Sequence, residues 1–469
     1  MQKHLEILQR AISLAQDQSQ AAALVMPAAE LSKKLDLSLS NDGSDLQQLE
    51  QAVIDYLNYN PNSAHPEFFK LLYSGQNKDA LLGDWVASLS NATMHTYQVG
   101  PVATLMELEL IKQWNRLIGF DNGEGVMVSG GTQANIVGMM LARHQACPEF
   151  QTKGYSALNN RNLIAYVSDQ SHYSNLRAAN TLGIGTDNLR SIESDKNGRL
   201  IPSALEQAIE EDIQHGHRPF FIGLTAGTTV TGAFDPVKPC KDIALAHKIW
   251  LHIDGAWGAP VLFSDQHKHL LADCQLADSF AWDAHKLMNV PITAAVILVK
   301  QQGALKNCTA GGGGDYLFHN DINADFNLGQ RSLQCGRRAD SLKVWLSWKA
   351  AGNAGFATKV DYLQNLKTTA IEMIKSSPSL EMLAQADYLN VLFRYSDDAL
   401  SETELAVLNS DICKRMHESG RAYIDYAKYK GRTGIRLILA NQEAQPSHIE
   451  NLLRNVSDIG MELANVLRP

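Results

Sequence analysis

Between residues 125 and 300 the chain repeats one pattern: a short apolar run ends abruptly in small or polar residues. GVMVS opens into GGTQAN, NLIAYVS into DQSHYS, FFIGLTA into GTT, IWLHID into GAWG, and SFAWDA into HK. A sixth run, AAVILV, occupies 294–299. Runs of this length read as strands, and helix-length polar stretches between them imply βαβ crossovers. Crossovers of that kind give a mostly parallel sheet covered on both faces. Ligands of such sheets collect at the carboxyl ends of the strands, where these runs break off. The pattern therefore sets an α/β class and locates a site.

The flanks read differently. Residues 1–90 are helical and loop-rich: Leu5, Ile7, Leu8, Ile12 and Leu14 form a helical stripe, and NDGSD at 41–45 starts a second helix that stops before Pro61. Leu342, Trp345, Leu346 and Ala350 predict a helix after a glycine run, and YLNVLFRY, GIRLILA and HIENLLRNVSDIGMELANVL predict a smaller α+β tail. At about 150 residues per domain, 469 residues suggest roughly three units. We assign them to 1–90, 91–350 and 351–469.

Fifty acidic against 41 basic side chains, net −9, disfavour an electrostatic grip on nucleic acid or an anionic membrane. Six cysteines without a CxxC pair argue for free thiols over a disulfide framework or zinc site. The first twenty residues lack the apolar core of a signal peptide, and no run approaches the about 18 apolar residues of a membrane span. The expectation is a soluble, cytoplasmic, multi-domain protein.

The sharpest pairing is HIDGAWG at 252–258 with WDAHK at 282–286. An aspartate ending one buried strand and a His-Lys ending another would meet at the sheet's carboxyl edge. A partly desolvated lysine can form a Schiff base with an aldehyde, and an acidic partner can hold a pyridine nitrogen protonated. VSGGTQAN at 128–135 adds a glycine turn entering a helix, suited to an anion. It is neither GxGxxG nor GxxxxGK[ST], so dinucleotide and P-loop readings lose support. His172 in SDQSHYS could stack on a planar ring or transfer a proton.

With SHYS, TAGTT, HIDGAWG, WDAHK, YLFH and QCGRRADSLKVWLSWKAAG in place, the chain resembles the pyridoxal-phosphate-dependent group II amino-acid decarboxylases, in the glutamate and cysteine sulfinate branch. The resemblance runs from HPEFF at 65 to LANQEA at 439–444. It implies an aspartate-aminotransferase-type fold with pyridoxal 5'-phosphate on Lys286. It also implies Asp254 at the pyridine nitrogen, Ala256 against the ring, His172 stacked on the opposite face and Thr225 near the phenolic oxygen. Gly131 and Thr132 would meet the phosphate with help from His285. Tyr316 would belong to a catalytic loop donated by the neighbouring subunit of a homodimer, with Gly303 and glycines 311–314 as hinges, and Arg436 would contact a substrate carboxylate. The N-terminal segment would pack across that dimer.

Three positions depart from the branch pattern. Asp283-Ala284 stands where Asn-Pro usually precedes His-Lys, Asn289 replaces a glycine, and Leu71 stands where the glutamate-type enzymes carry glutamine. The expected reaction is decarboxylation of an acidic L-amino acid: aspartate, cysteine sulfinate or glutamate. Aromatic or diamino acids stay open as substrates. An aminotransferase or aldehyde lyase would share Lys286 and Asp254 but leave Tyr316 unexplained; a non-catalytic member is disfavoured by the survival of Lys286, Asp254 and His172.

Overall fold

The computed structural model describes residues 1–23, 25–309, 314 and 316–467. Two compact units emerge: Asn77–Tyr362, and Met1–Gln76 together with Leu363–Pro469.

The larger unit holds a seven-stranded sheet. Its strands are β1 (Glu124–Val128), β2 (Leu163–Ser168), β3 (Leu189–Ile192), β4 (Arg218–Thr225), β5 (Trp250–Asp254), β6 (Ser279–Asp283) and β7 (Ala295–Val299). Their spatial order is β1-β7-β6-β5-β4-β2-β3. Every pair among β2 to β6 is parallel, whereas β7 runs antiparallel to both β1 and β6. The sheet is thus mixed and mostly parallel, and β1, β2, β5, β6 and β7 are buried along their whole length. Two-faced burial is what their unalternating Val/Ile/Leu composition dictates. β1 feeds the helix Gly131–Ala146 and β2 the helix Ser174–Thr181, so both helices begin at the sheet's carboxyl edge.

The smaller unit carries an antiparallel sheet of β8 (Leu380–Met382), β9 (Asn390–Tyr395), β10 (Asp425–Tyr429) and β11 (Arg432–Ile438), ordered β10-β11-β9-β8. β10 and β11 join through Lys430 and Gly431, at φ 47° and 82°, the paired left-handed conformation of a tight hairpin. The helices Glu402–Ser419 and Pro446–Leu467 cover this sheet. Chain 64–69 docks on the same unit. Phe69 N donates to Tyr423 O at 2.8 Å, Ile438 N donates to Phe69 O at 3.1 Å, and Asn441 Nδ2 donates to Ala64 O at 3.0 Å.

The units divide the chain near 76 and 362, not at 90 and 350. The helix Lys78–Ser90 is tied into the larger unit: a Cβ on Gly83 would stand 2.6 Å from Lys343 Cα, and Asp84 pairs with Arg338 and Lys343. The second division falls within the helix Ser341–Ser376, broken only at Gly352. The first division lies in the short polar stretch 74–77, where Gly75 has φ 83°, and the second, inside a helix, carries no turn or polar linker.

Candidate active site

Asp254 ends β5 and Thr225 ends β4, in register with each other across the parallel pair. Both are 6% exposed. Asp254 Oδ1 accepts from Ala256 N at 3.1 Å, and Oδ2 accepts from Asn135 Nδ2 at 2.7 Å. The Thr225 hydroxyl is buried with no hydrogen-bond partner among the described residues, an unmet donor beside the aspartate.

Lys286 follows β6 on a tight turn, its N–H donating to Asp283 O. Its Nζ lies 3.3 Å from Asp283 Oδ2, and His285 Nε2 lies 3.6 Å from the same oxygen. Asp283 is 2% exposed, and its Oδ1 has no partner among the described residues. His285 Nδ1 is held 2.9 Å from Ala294 O, and burial pushes its pKa down against the pull of Asp283.

Gly131 begins its helix under close restraint. An added Cβ would meet Asp283 Oδ2 at 2.9 Å, Asp283 Oδ1 at 3.1 Å and Ala256 Cβ at 3.2 Å. Among the described residues no side chain caps this helix start, so its first-turn amides and the Thr132 hydroxyl can receive an anion. His172 closes the group: its ring packs on Tyr173 with centroids 4.2 Å apart, and Ser174 N donates to Nδ1 at 3.2 Å. Burial lowers its pKa; Asp254 and Asp283 oppose that shift, and Lys286 and Arg177 reinforce it.

The structure therefore gathers Lys286, Asp283, His285, Gly131, Ala256, Asp254, Thr225 and His172 at one sheet edge. Tyr316 is 78% exposed, and no contact among the described residues joins it to that group. Glycines 311–313 lie outside the described residues. Arg436 belongs to the smaller unit, where Nη2 donates to Lys70 O at 2.9 Å and burial lowers its pKa.

Sequence reasoning passed over Asn135, Ser174, His252 and Ser279, which connect behind Asp254. One signal was available. His252 sits inside the apolar strand IWLHID, where a polar side chain must find buried partners.

A model of the pyridoxal-dependent decarboxylase conserved domain matches residues 28–396. The chain is 32% identical to the acidic amino acid decarboxylase GADL1 of Bos taurus over 468 residues, 97% of this chain and 89% of that one. It is 34% identical to the cysteine sulfinic acid decarboxylase of Mus musculus over 445 residues, 92% of this chain and 90% of that one. The crystal structure of mouse CSAD matches at TM-score 0.94 and 32% identity, covering 98% of this chain and 97% of that one. The structure of Oryza sativa TDC with PLP and tryptamine shares the fold at TM-score 0.90 and 21% identity, over 98% of each chain.

Proposed function

The chain belongs to the pyridoxal-dependent decarboxylases, and on that premise we propose that it releases carbon dioxide from an acidic L-amino acid at the Lys286 cluster. The enzyme is an amino-acid decarboxylase, and its cofactor is pyridoxal phosphate. When bound, the cofactor supplies an aldehyde for a lysine amine and a protonated ring that accepts the electrons of the Cα–carboxylate bond.

The residues present fit that group. Lys286 offers the amine at the end of β6, and Asp254 offers an ionic partner for the ring nitrogen at the end of β5. Ala256 and His172 supply the two ring faces. Gly131, Thr132 and His285 receive the phosphate, and the Thr225 hydroxyl supplies the donor for the phenolic oxygen. That orphaned hydroxyl, in register beside Asp254, is the observation that carries the reading.

His172 presents its remaining ring nitrogen, Nε2, as the N–H when neutral, because Nδ1 accepts from Ser174. Tyr316, donated by the partner copy of a homodimer, delivers the proton to Cα with His172 and closes water out of the site. Arg436 binds the substrate carboxylate through its guanidinium fork. Leu71, in place of a glutamine, turns the preference from glutamate toward aspartate or cysteine sulfinate. No helix among the described residues is long and apolar enough to cross a membrane.

Borohydride reduction of the yellow protein, followed by peptide mass analysis, tests the assignment. The cofactor mass is expected on Lys286; the same mass on another lysine, or persisting in Lys286→Ala, would refute it.

A further inference from the structure

Behind Asp254 lies a line of buried polar groups that the decarboxylation reading does not use. Trp250 Nε1 donates to Ser279 Oγ at 2.8 Å, and Ser279 Oγ lies 2.8 Å from His252 Nδ1. His252 Nε2 lies 2.9 Å from Asn135 Oδ1, and Asn135 Nδ2 reaches Asp254 Oδ2 at 2.7 Å and Ser174 Oγ at 2.8 Å. Asn135 is 1% exposed, and both His252 and Ser279 are fully buried. Gly138 makes room for the imidazole: a Cβ there would stand 2.8 Å from His252 Nδ1.

The proton positions along this line follow from its two ends. The Asp254 carboxylate accepts from the Asn135 NH₂, which turns Asn135 Oδ1 to His252. An amide oxygen only accepts, so His252 carries its proton on Nε2 and its Nδ1 accepts. Ser279 Oγ therefore donates to His252 Nδ1 while accepting from Trp250 Nε1, an indole N–H that only donates. Burial holds the imidazole neutral, with its pKa pushed down to about 4, so no second proton scrambles the order.

We propose that Trp250, Ser279, His252 and Asn135 form a one-way hydrogen-bond relay that locks the Asn135 amide and keeps the Asp254 carboxylate aimed at the ring nitrogen of the cofactor. This rests on the assignment of Asp254 to that nitrogen. Asn135 and His252 are positioning residues: they act on the ring through Asp254. A broken relay frees the amide to rotate, and its oxygen would then oppose the carboxylate and weaken the hold on a protonated nitrogen.

The test uses the full-length protein loaded with pyridoxal phosphate labelled with ¹⁵N in the ring. Wild type is expected to show a protonated ring nitrogen; an unprotonated nitrogen in wild type overturns the Asp254 assignment and the relay with it. His252→Gln, whose amide N–H can replace Nε2–H, should keep the wild-type shift and cofactor release rate. His252→Phe and Asn135→Leu should move the shift toward the unprotonated form and release cofactor about tenfold faster or more. A protonated wild type with unaltered His252→Phe and Asn135→Leu overturns the relay alone. Should those variants fail to fold, ¹⁵N-histidine spectra of the cofactor-free protein decide. The relay requires the Nε2–H tautomer at His252, with loss of that preference in Ser279→Ala, and an Nδ1–H tautomer in wild type contradicts it.

Discussion

Lys286 Nζ lies 3.3 Å from Asp283 Oδ2, and that carboxylate is 2% exposed. The aspartate that replaces the usual asparagine is thus a buried counter-charge for the lysine. Its other oxygen, without a partner among the described residues, faces the Gly131 turn. Asp283→Asn should destabilise the cofactor-free protein by about 1.5–3 kcal/mol, the range for a hydrogen bond to a charged group. The difference should shrink once the cofactor occupies Lys286. Urea unfolding with and without pyridoxal phosphate measures both, and an equal loss in the two forms would count against the pairing.

Gly131 tolerates no side chain at its present spacing. The Cβ of Gly131→Ala would press on Asp283 at 2.9 Å and on Ala256 at 3.2 Å, both held by buried backbone. Overpacking of this kind costs about 1–3 kcal/mol. We expect a lower urea midpoint and at least a tenfold weaker cofactor titration, about 1.4 kcal/mol. Unchanged affinity would remove Gly131 from the phosphate seat.

Acid should weaken the fold through its buried histidines. The folded pKa of His252 is pushed down to about 4 by burial, below its unfolded value near 6.5, so the unfolded chain binds the extra proton first. Its stabilisation is complete above about pH 6.5 and is lost as pH falls through about 4, a change of about 3 kcal/mol. His172 and His285 shift the same way. Between pH 7 and 4, His252→Gln should lose less stability than wild type. Parallel curves would show that His252 titrates normally.

Tyr316 offers a clean separation of chemistry from folding. At 78% exposure, Tyr316→Phe should alter stability by less than about 0.5 kcal/mol and leave cofactor absorbance unchanged. Carbon dioxide release should fall by about a hundredfold or more, as for loss of a general acid. A variant retaining full turnover would assign the proton to another group.

The strands of the larger unit were legible because each is a buried apolar run with a polar stop, and those stops are the site. The direction of β7 was not, because AVILV carries no mark of parallel or antiparallel pairing. Short edge strands β3 and β8 lack a sufficient apolar run. The docking of chain 64–69 beside Tyr423 and Ile438 depends on backbone hydrogen bonds between segments over 350 residues apart, which periodicity does not encode. In the site, Lys286, Asp254 and His172 stood out by residue type at strand ends. Asn135 and Ser279 did not, since a buried amide or hydroxyl gains its meaning only from the partner opposite.

The fate of the substrate carboxylate distinguishes decarboxylation from the rival reactions most directly. Purified protein with pyridoxal phosphate should be offered all twenty amino acids and cysteine sulfinate, with carbon dioxide and amine quantified together. Equimolar carbon dioxide and amine from an acidic amino acid, abolished in Lys286→Ala, is the predicted result. Keto acid or aldehyde from the same set, with no carbon dioxide from any member, would contradict it.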